Sequence, residues 1–282
     1  GIITSAGLVH IDNFPSIEEI AREKVQIANG IKDDGVFIYF GDDSLIRDTI
    51  NDSEIKNSIR KQTFGIKESN TLYLKSFSED LSGITFTVSD ERLGELHADM
   101  LGKHQALNSM AAILAAEELE MTPEEICLGL LKIDKTGLRN ELIKINKCTI
   151  LNDCYKSNPV SINAALEIFG LIRSQKKIVV LGDMLGYREM SHDMHYKVGK
   201  DLASHNIDEL VTIGQEAKYM AIGARENTSI KSIAEFDTKE EATEYLKKYL
   251  SIDCSILIKG SRFLKLEYIA NKLKDLEEGN EN

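Results

Sequence analysis

The chain has 282 residues, with 46 acidic against 34 basic side chains and a formal net charge of -12. That length exceeds one ordinary domain and predicts two, each with its own core. The charge is spread along the chain rather than blocked, which argues against nucleic acid or an anionic membrane as the main partner, while local amides and a few lysines can still hold phosphate. No apolar run approaches membrane-spanning length and no signal-like segment opens the chain, so no membrane insertion is expected. Cys127, Cys148, Cys154 and Cys254 are far apart with no C-x-x-C pair, a usage that fits reduced thiols in the cytoplasm.

Taken in order, Ile2 to Thr4 reads as a short strand, and the loop after it ends in His10. Ser16 with Glu19 three residues on predicts a capping box for a helix carrying Ile17, Ile20, Ala21, Lys24 and Ile27. A histidine at a strand end and a lysine on the next helix can face one cleft; a surface histidine and a solvated lysine account for the same residues. Gly35 to Phe40 predicts a second strand, ending in the acidic turn Gly41-Asp42-Asp43, and Ile59 to Phe64, Thr71 to Phe77 and Gly83 to Val88 predict three more. Gly102-Lys-His-Gln-Ala-Leu-Asn108 leads into an alanine-rich run that predicts a closely packed helix. In its first turns Asn108 can read a purine edge and His104 can stack or hydrogen-bond, and a packed helix with a polar start fits equally well. Thr122-Pro-Glu-Glu125 caps the next helix.

Asp134 to Arg139 is a polar break around Gly137, which predicts domains over 1–136 and 137–282. Arg139, beside that break, is either a phosphate clamp or a surface arginine. Cys148 to Leu151 then reads as a buried strand, and the residues at its end, Asn152-Asp-Cys-Tyr-Lys-Ser-Asn-Pro159, gather an acid, an aromatic, an amine, a hydroxyl and an amide in one loop. Ligands of open α/β sheets bind beyond the carboxyl ends of strands, where Asp153 can accept from ribose hydroxyls, Lys156 can meet a phosphate, and Asn158 can hold the loop or read an amide. An Asx-rich connection whose polar groups only cap the following helix explains the loop as well. Lys177 to Leu181, Glu209 to Gly214 and Ser255 to Ile258 are further apolar strands alternating with helices, the pattern of a parallel sheet wound on both faces. His192 and His195 open a helix with no third ligand in view, so capping or polar packing is the commoner role.

Asp153-x-Tyr155-x-x-Asn158-Pro159, Leu181-Gly-Asp-Met184, His195 four residues before Gly199, and Lys259-Gly-Ser-Arg262 stand in the order and spacing of the Mur ligases, and the chain resembles that family. Gly7-x-x-His10, Ile20-Ala-x-x-Lys24 and Gly102-x-His104-x-x-x-Asn108 look like pieces of the same family's central ATPase domain. The resemblance implies an α/β chain: a truncated central ATPase domain followed by a Rossmann-like, doubly wound C-terminal domain. It implies an ATP-dependent ligase of peptidoglycan precursor synthesis that forms an amide bond through an acyl phosphate. The substrates it points to are UDP-N-acetylmuramoyl-tripeptide and D-alanyl-D-alanine, handled by a monomer. By resemblance, His10 matches a Mg2+ ligand and Lys24 the lysine that is carbamylated to hold a second, an oxygen ligand suited to a hard cation. Asn108 and His104 match the adenine site, Arg139 a phosphate contact, and Asp153 a ribose contact, while the Lys156 amine, outside the family's pattern, can add a phosphate contact of its own. Tyr155, Ser157, Asn158, Lys259, Ser261 and Arg262 would line the amino-substrate cleft.

The chain also departs from that pattern. It contains no Gly-Lys-Thr or Gly-Lys-Ser phosphate loop and no amino-terminal UDP-sugar domain, so it is expected to be a fragment that does not hydrolyse ATP alone. Lys156 and Ser157 replace an Asn-Ala, and Gln105 an asparagine, which leaves open a Mur-type ligase for another amine. A non-catalytic nucleotide- or partner-binding module is the other alternative.

Overall fold

The computed structural model describes residues 1–7, 11–133, 137–226 and 230–278. The chain divides into two compact units, Gly1–Asp134 and Lys135–Asn282.

In the first unit, β1 (Ile2–Ile3), β2 (Val36–Phe40), β3 (Arg60–Gly65), β4 (Leu72–Asp80), β5 (Gly83–Val88) and β6 (Glu95–Ala98) form one sheet in sequence order. β1 through β4 pair in parallel, and β4, β5 and β6 form an antiparallel meander. Alternation along β2 feeds two cores. Phe37 and Tyr39 pack with Val25 of α1 (Ile17–Val25) and with Ile46 and Ile50 of α2 (Ser44–Asn51). Ile38 faces the other way, into the cluster formed with Phe64, Phe86 and the small face of α3 (Lys103–Glu118), where Ala106, Met110 and Ala111 let the helix lie close to the sheet. α4 (Pro123–Leu131) closes that layer through Ile126 and Leu130, and Thr122 makes the full capping box with Glu125.

The second unit carries a sheet in the order β11-β10-β9-β12-β8-β7, from β7 (Glu141–Ile145), β8 (Cys148–Asp153), β9 (Lys176–Gly182), β10 (Glu209–Ile213), β11 (Ser232–Phe236) and β12 (Cys254–Lys259). The strands from β8 to β11 run parallel, while β7 is an antiparallel edge joined to β8 by a tight hairpin with Asn146 at φ 51°. Ile150, Ile178, Val211 and Ile256 enter one core with α8 (Lys239–Leu246) and α9 (Glu267–Glu278), and the alternate residues Leu151, Val179, Leu210 and Leu257 are buried against the opposite face. On that side run α5 (Pro159–Leu171), α6 (Ser191–Asp201) and α7 (Lys218–Arg225). α6 and α7 touch backbone to backbone: a Cβ on Gly199 would lie 2.0 Å from Met220 O, and one on Gly223 2.1 Å from Tyr196 O.

Several elements differ from the sequence reading. Ser16 caps α1 by accepting from Glu19 N, but the Glu19 carboxylate turns to Arg22 instead of closing the box. α2, β6 and β11 emerge only from the fold: β6 and β11 are short or half-exposed, and α2, although Ile46 and Ile50 give it a buried face, is only eight residues long. The sheet of the second unit is not wholly parallel, because the residues before Cys148 form the β7 hairpin arm.

Candidate active site

The polar residues of the second unit converge where β8, β12 and β9 end side by side. The register sets Asp153 opposite Lys259, and Lys259 opposite Leu181. Lys259 is 1% exposed, and its ammonium donates to Asp153 Oδ2 at 2.6 Å and to the Lys156 carbonyl at 2.8 Å. Cys154, also buried, donates from Sγ to Ile258 O at 3.4 Å, so the loop after β8 is fastened to β12 twice. Burial pushes the Cys154 thiol up, with Glu267 and Asp153 adding to it, which makes it a packing group rather than a nucleophile.

The remaining loop residues divide between exposed and structural. Tyr155 is exposed, with the Arg139 guanidinium 4.2 Å from its ring centroid, and Tyr155 N donates to Leu138 O at 3.2 Å. Leu138 and Asn140, on either side of Arg139, have φ of 64° and 49°, so the arginine is presented from a strained turn. Lys156 is exposed, and Ser157 is buried with a hydroxyl that no described group meets. Asn158 is the N-cap of α5: its Oδ1 accepts from Ser161 N at 2.8 Å, and Ser161 Oγ accepts from Asn158 N at 3.0 Å. The capping explanation therefore holds for Asn158, while Asp153 takes no part in the cap.

Across the sheet the fastening continues. Ser261 Oγ accepts from Leu185 N at 3.0 Å, and Ser261 N donates to Asp183 O at 3.2 Å, tying the turn after β12 to the turn after β9. Arg262 is exposed and paired with Glu267 at 2.5 Å. Asp183 Oδ1 accepts from Ala217 N at 2.7 Å, which joins the end of β9 to the turn after β10. Gly214, at φ 112°, makes room for that carboxylate, since a Cβ there would lie 2.5 Å from it. Burial raises the Asp183 carboxyl. His195 is wholly buried, accepts from Met184 N at 2.9 Å through Nε2, and lies 2.7 Å from Ser191 O through Nδ1. Those partners fix the neutral tautomer with the proton on Nδ1, and burial holds the imidazole below its usual value. His195 is thus a packing and orienting group, as the commoner role of such a histidine suggests. His192 stacks on Tyr219, with ring centroids 3.9 Å apart.

In the first unit, Lys24 is exposed near the end of α1 and donates to Ser5 O at 2.7 Å. His10 lies outside the described residues. His104 and Asn108 stand one turn apart on the exposed side of α3, with Asn108 Nδ2 donating to Gln105 Oε1 at 3.4 Å. The acidic turn after β2 is structural: Asp43 caps α2, and Asp42 accepts from Ile66 N at 2.6 Å and from Asn70 Nδ2 at 2.8 Å. Among the described residues no three His, Cys, Asp or Glu side chains group as a metal site, and an uncarbamylated Lys24 can only donate.

Asp183, Gly214 and the partners of His195, Met184 N and Ser191 O, were not singled out as site residues by sequence. The signal for the first two was present in Leu181-Gly-Asp-Met184 and in a second glycine at the matching strand end, Gly214.

Two parallel-dominated α/β units, the second with its polar residues gathered at the carboxyl ends of its central strands, define the class. The Mur ligase middle domain matches residues 1–116 and the Mur ligase glutamate ligase domain residues 138–262, and the chain belongs to the Mur ligase family. Among its relatives, the UDP-N-acetylmuramoyl-tripeptide--D-alanyl-D-alanine ligase of Bacillus subtilis is 33% identical over 96% of this chain and 58% of its own length. The ligase of the same name from Buchnera aphidicola is 28% identical over 94% of this chain and 56% of its own. MurF from Acinetobacter baumannii shares the fold with a TM-score of 0.83 at 24% identity, over 97% of this chain and 59% of that one. The MurF ligase from Thermotoga maritima, solved in complex with ADP, gives 0.81 at 19% identity, over 99% and 62%. The chain thus spans less than two thirds of the length of these relatives.

Proposed function

We propose that these residues belong to an ATP-dependent amide-bond ligase of peptidoglycan precursor synthesis, which adds D-alanyl-D-alanine to a UDP-N-acetylmuramoyl-tripeptide in the cytoplasm. The observation that carries this reading is the 33% identity to the Bacillus subtilis ligase along 96% of the chain. In the reaction, the terminal carboxylate of the tripeptide takes the γ-phosphoryl group of ATP. The free amine of the dipeptide attacks the resulting acyl phosphate, and the tetrahedral intermediate expels inorganic phosphate.

In the second unit, Asp153 offers a carboxylate oxygen to a ribose hydroxyl, and the exposed Arg139 and Lys156 are phosphate contacts. In the first unit, Asn108 and His104 form an exposed amide and imidazole pair suited to a purine. Tyr155, Arg262 and Ser261 face the amino substrate. Ser157 and Asn158 shape the loop beneath it, since one is buried and the other caps α5. On the family's pattern His10 and a carbamylated Lys24 would hold magnesium, which would supply positive charge to offset that of the phosphates. Of that pair only Lys24 belongs to the described residues, and its amine donates to Ser5 O.

Phosphate release by the full-length gene product with UDP-N-acetylmuramoyl-tripeptide tests the reading. Release that requires D-alanyl-D-alanine is expected, and the 282-residue chain run in parallel should release none. Preference for a different amine would keep the ligase chemistry, overturn the dipeptide, and point to Lys156 and Ser157. No release with any amine would favour a nucleotide-binding module.

A further inference from the structure

Lys259 occupies a position that its charge makes costly. Withdrawing an ammonium from water to 1% exposure carries a desolvation penalty of several kcal/mol, repaid only by close partners of good geometry. Its partners are both in the loop after β8: Asp153 Oδ2 at 2.6 Å and the Lys156 carbonyl at 2.8 Å. The register of β8 against β12 puts the two side chains on the same row and the same face of the sheet, opposite to the face that packs against α8 and α9. A lysine so enclosed does not reach a substrate, although the family's motif made it a cleft residue.

We propose that Lys259 is a positioning residue for nucleotide binding, acting through Asp153. Its ammonium takes Oδ2, which leaves Oδ1 as the oxygen that accepts from a ribose hydroxyl. It also cancels the carboxylate's charge, so an acceptor with anionic lone pairs stands beside a polyphosphate without repelling it. The bond to the Lys156 carbonyl holds the backbone of the same loop at the height that the carboxylate requires. Cys154 to Ile258 O is the second fastening and carries no charge. The proposal rests on Asp153 being the ribose contact, as under the proposed function.

The test is ADP affinity, measured by calorimetric titration of the full-length gene product, in a cycle of Asp153→Asn, Lys259→Met and both together. Lys259→Met alone should weaken ADP about tenfold or more, and by much less than that in the Asp153→Asn background, because the residue it acts through is already lost. Adenosine, which carries no phosphate, should be weakened less than ADP by Lys259→Met. Thermal melts of the same proteins separate this from unfolding: the double variant, with both charges removed, should recover most of the melting temperature lost by Lys259→Met. Equal weakening by Lys259→Met in both backgrounds would overturn the proposal and leave the nucleotide reading intact. An Asp153→Asn protein that binds ADP like the parent would overturn the ribose assignment, and the positioning role with it.

Discussion

The proposed site residues of the two units are held in opposite ways. In the second unit Lys259 is enclosed, Asp153 and Asp183 are largely buried, His195 has no exposure, and each makes a bond that ties one strand end to another or to a helix. In the first unit Lys24, His104 and Asn108 all lie exposed on helices, where Lys24 donates to Ser5 O and Asn108 to Gln105 Oε1. A built network is rigid and costs stability when broken; residues exposed on a helix surface can meet a ligand and cost little when removed. The contrast separates a polar network set in advance by packing from exposed residues that ligand contact alone would organise.

That contrast makes graded predictions. The largest effect falls on Lys259→Met, which leaves the Asp153 carboxylate without its buried partner and should cost about 4 kcal/mol in urea unfolding. A loss below about 1 kcal/mol would mean that the second unit's network is not what holds the strand ends. Gly199→Ala should follow at about 3 kcal/mol, since the new methyl meets Met220 O and forces α6 from α7. Removing the cap with Asn158→Ala should cost about 1 kcal/mol in the same assay. By contrast, Lys24→Met, His104→Ala and Asn108→Ala should each stay within about 0.5 kcal/mol of the parent, while the same changes in the full-length gene product lower its ATP turnover. A large stability loss from any of these three would break the comparison.

The smallest effect is one of pH. The unfolded chain protonates its histidines near 6.5, whereas burial keeps His195, and to the same sign His205, neutral below that in the native state. The unfolded state therefore binds more protons as pH falls through that range, and stability declines toward acid. Asp183, Glu216 and His192 are the charges facing His195, and Asp183, raised by burial, contributes in the opposite sense as pH rises through its native value. His195→Gln should lose less stability than the parent between pH 7 and pH 5, and an unchanged slope would place the acid sensitivity elsewhere.

Much of this was legible in the residues themselves. Continuous apolar runs marked β8, β9, β10 and β12 because a parallel strand covered on both faces has no wet side to interrupt it. β11 escaped because it is an edge strand with no fully buried residue, and β7 because an antiparallel arm of mixed charge looks like the break before it. The loop from Asp153 to Asn158 stood out by its density of polar groups. What sequence could not show was which of them would be spent inside the protein: Lys259 and Asp153 are 106 residues apart and meet only through strand register. Nor could it show that Arg139 rests on Tyr155, a contact made by a turn of unusual backbone.

The most direct measurement of the ligase chemistry follows oxygen. With UDP-N-acetylmuramoyl-tripeptide labelled with oxygen-18 in its terminal carboxylate, the full-length gene product is run with ATP and D-alanyl-D-alanine, and the phosphate released is weighed by mass spectrometry. An acyl phosphate requires that one labelled oxygen leave with each phosphate formed as the amide bond closes. Phosphate that carries no label, with or without amide product, would contradict the account.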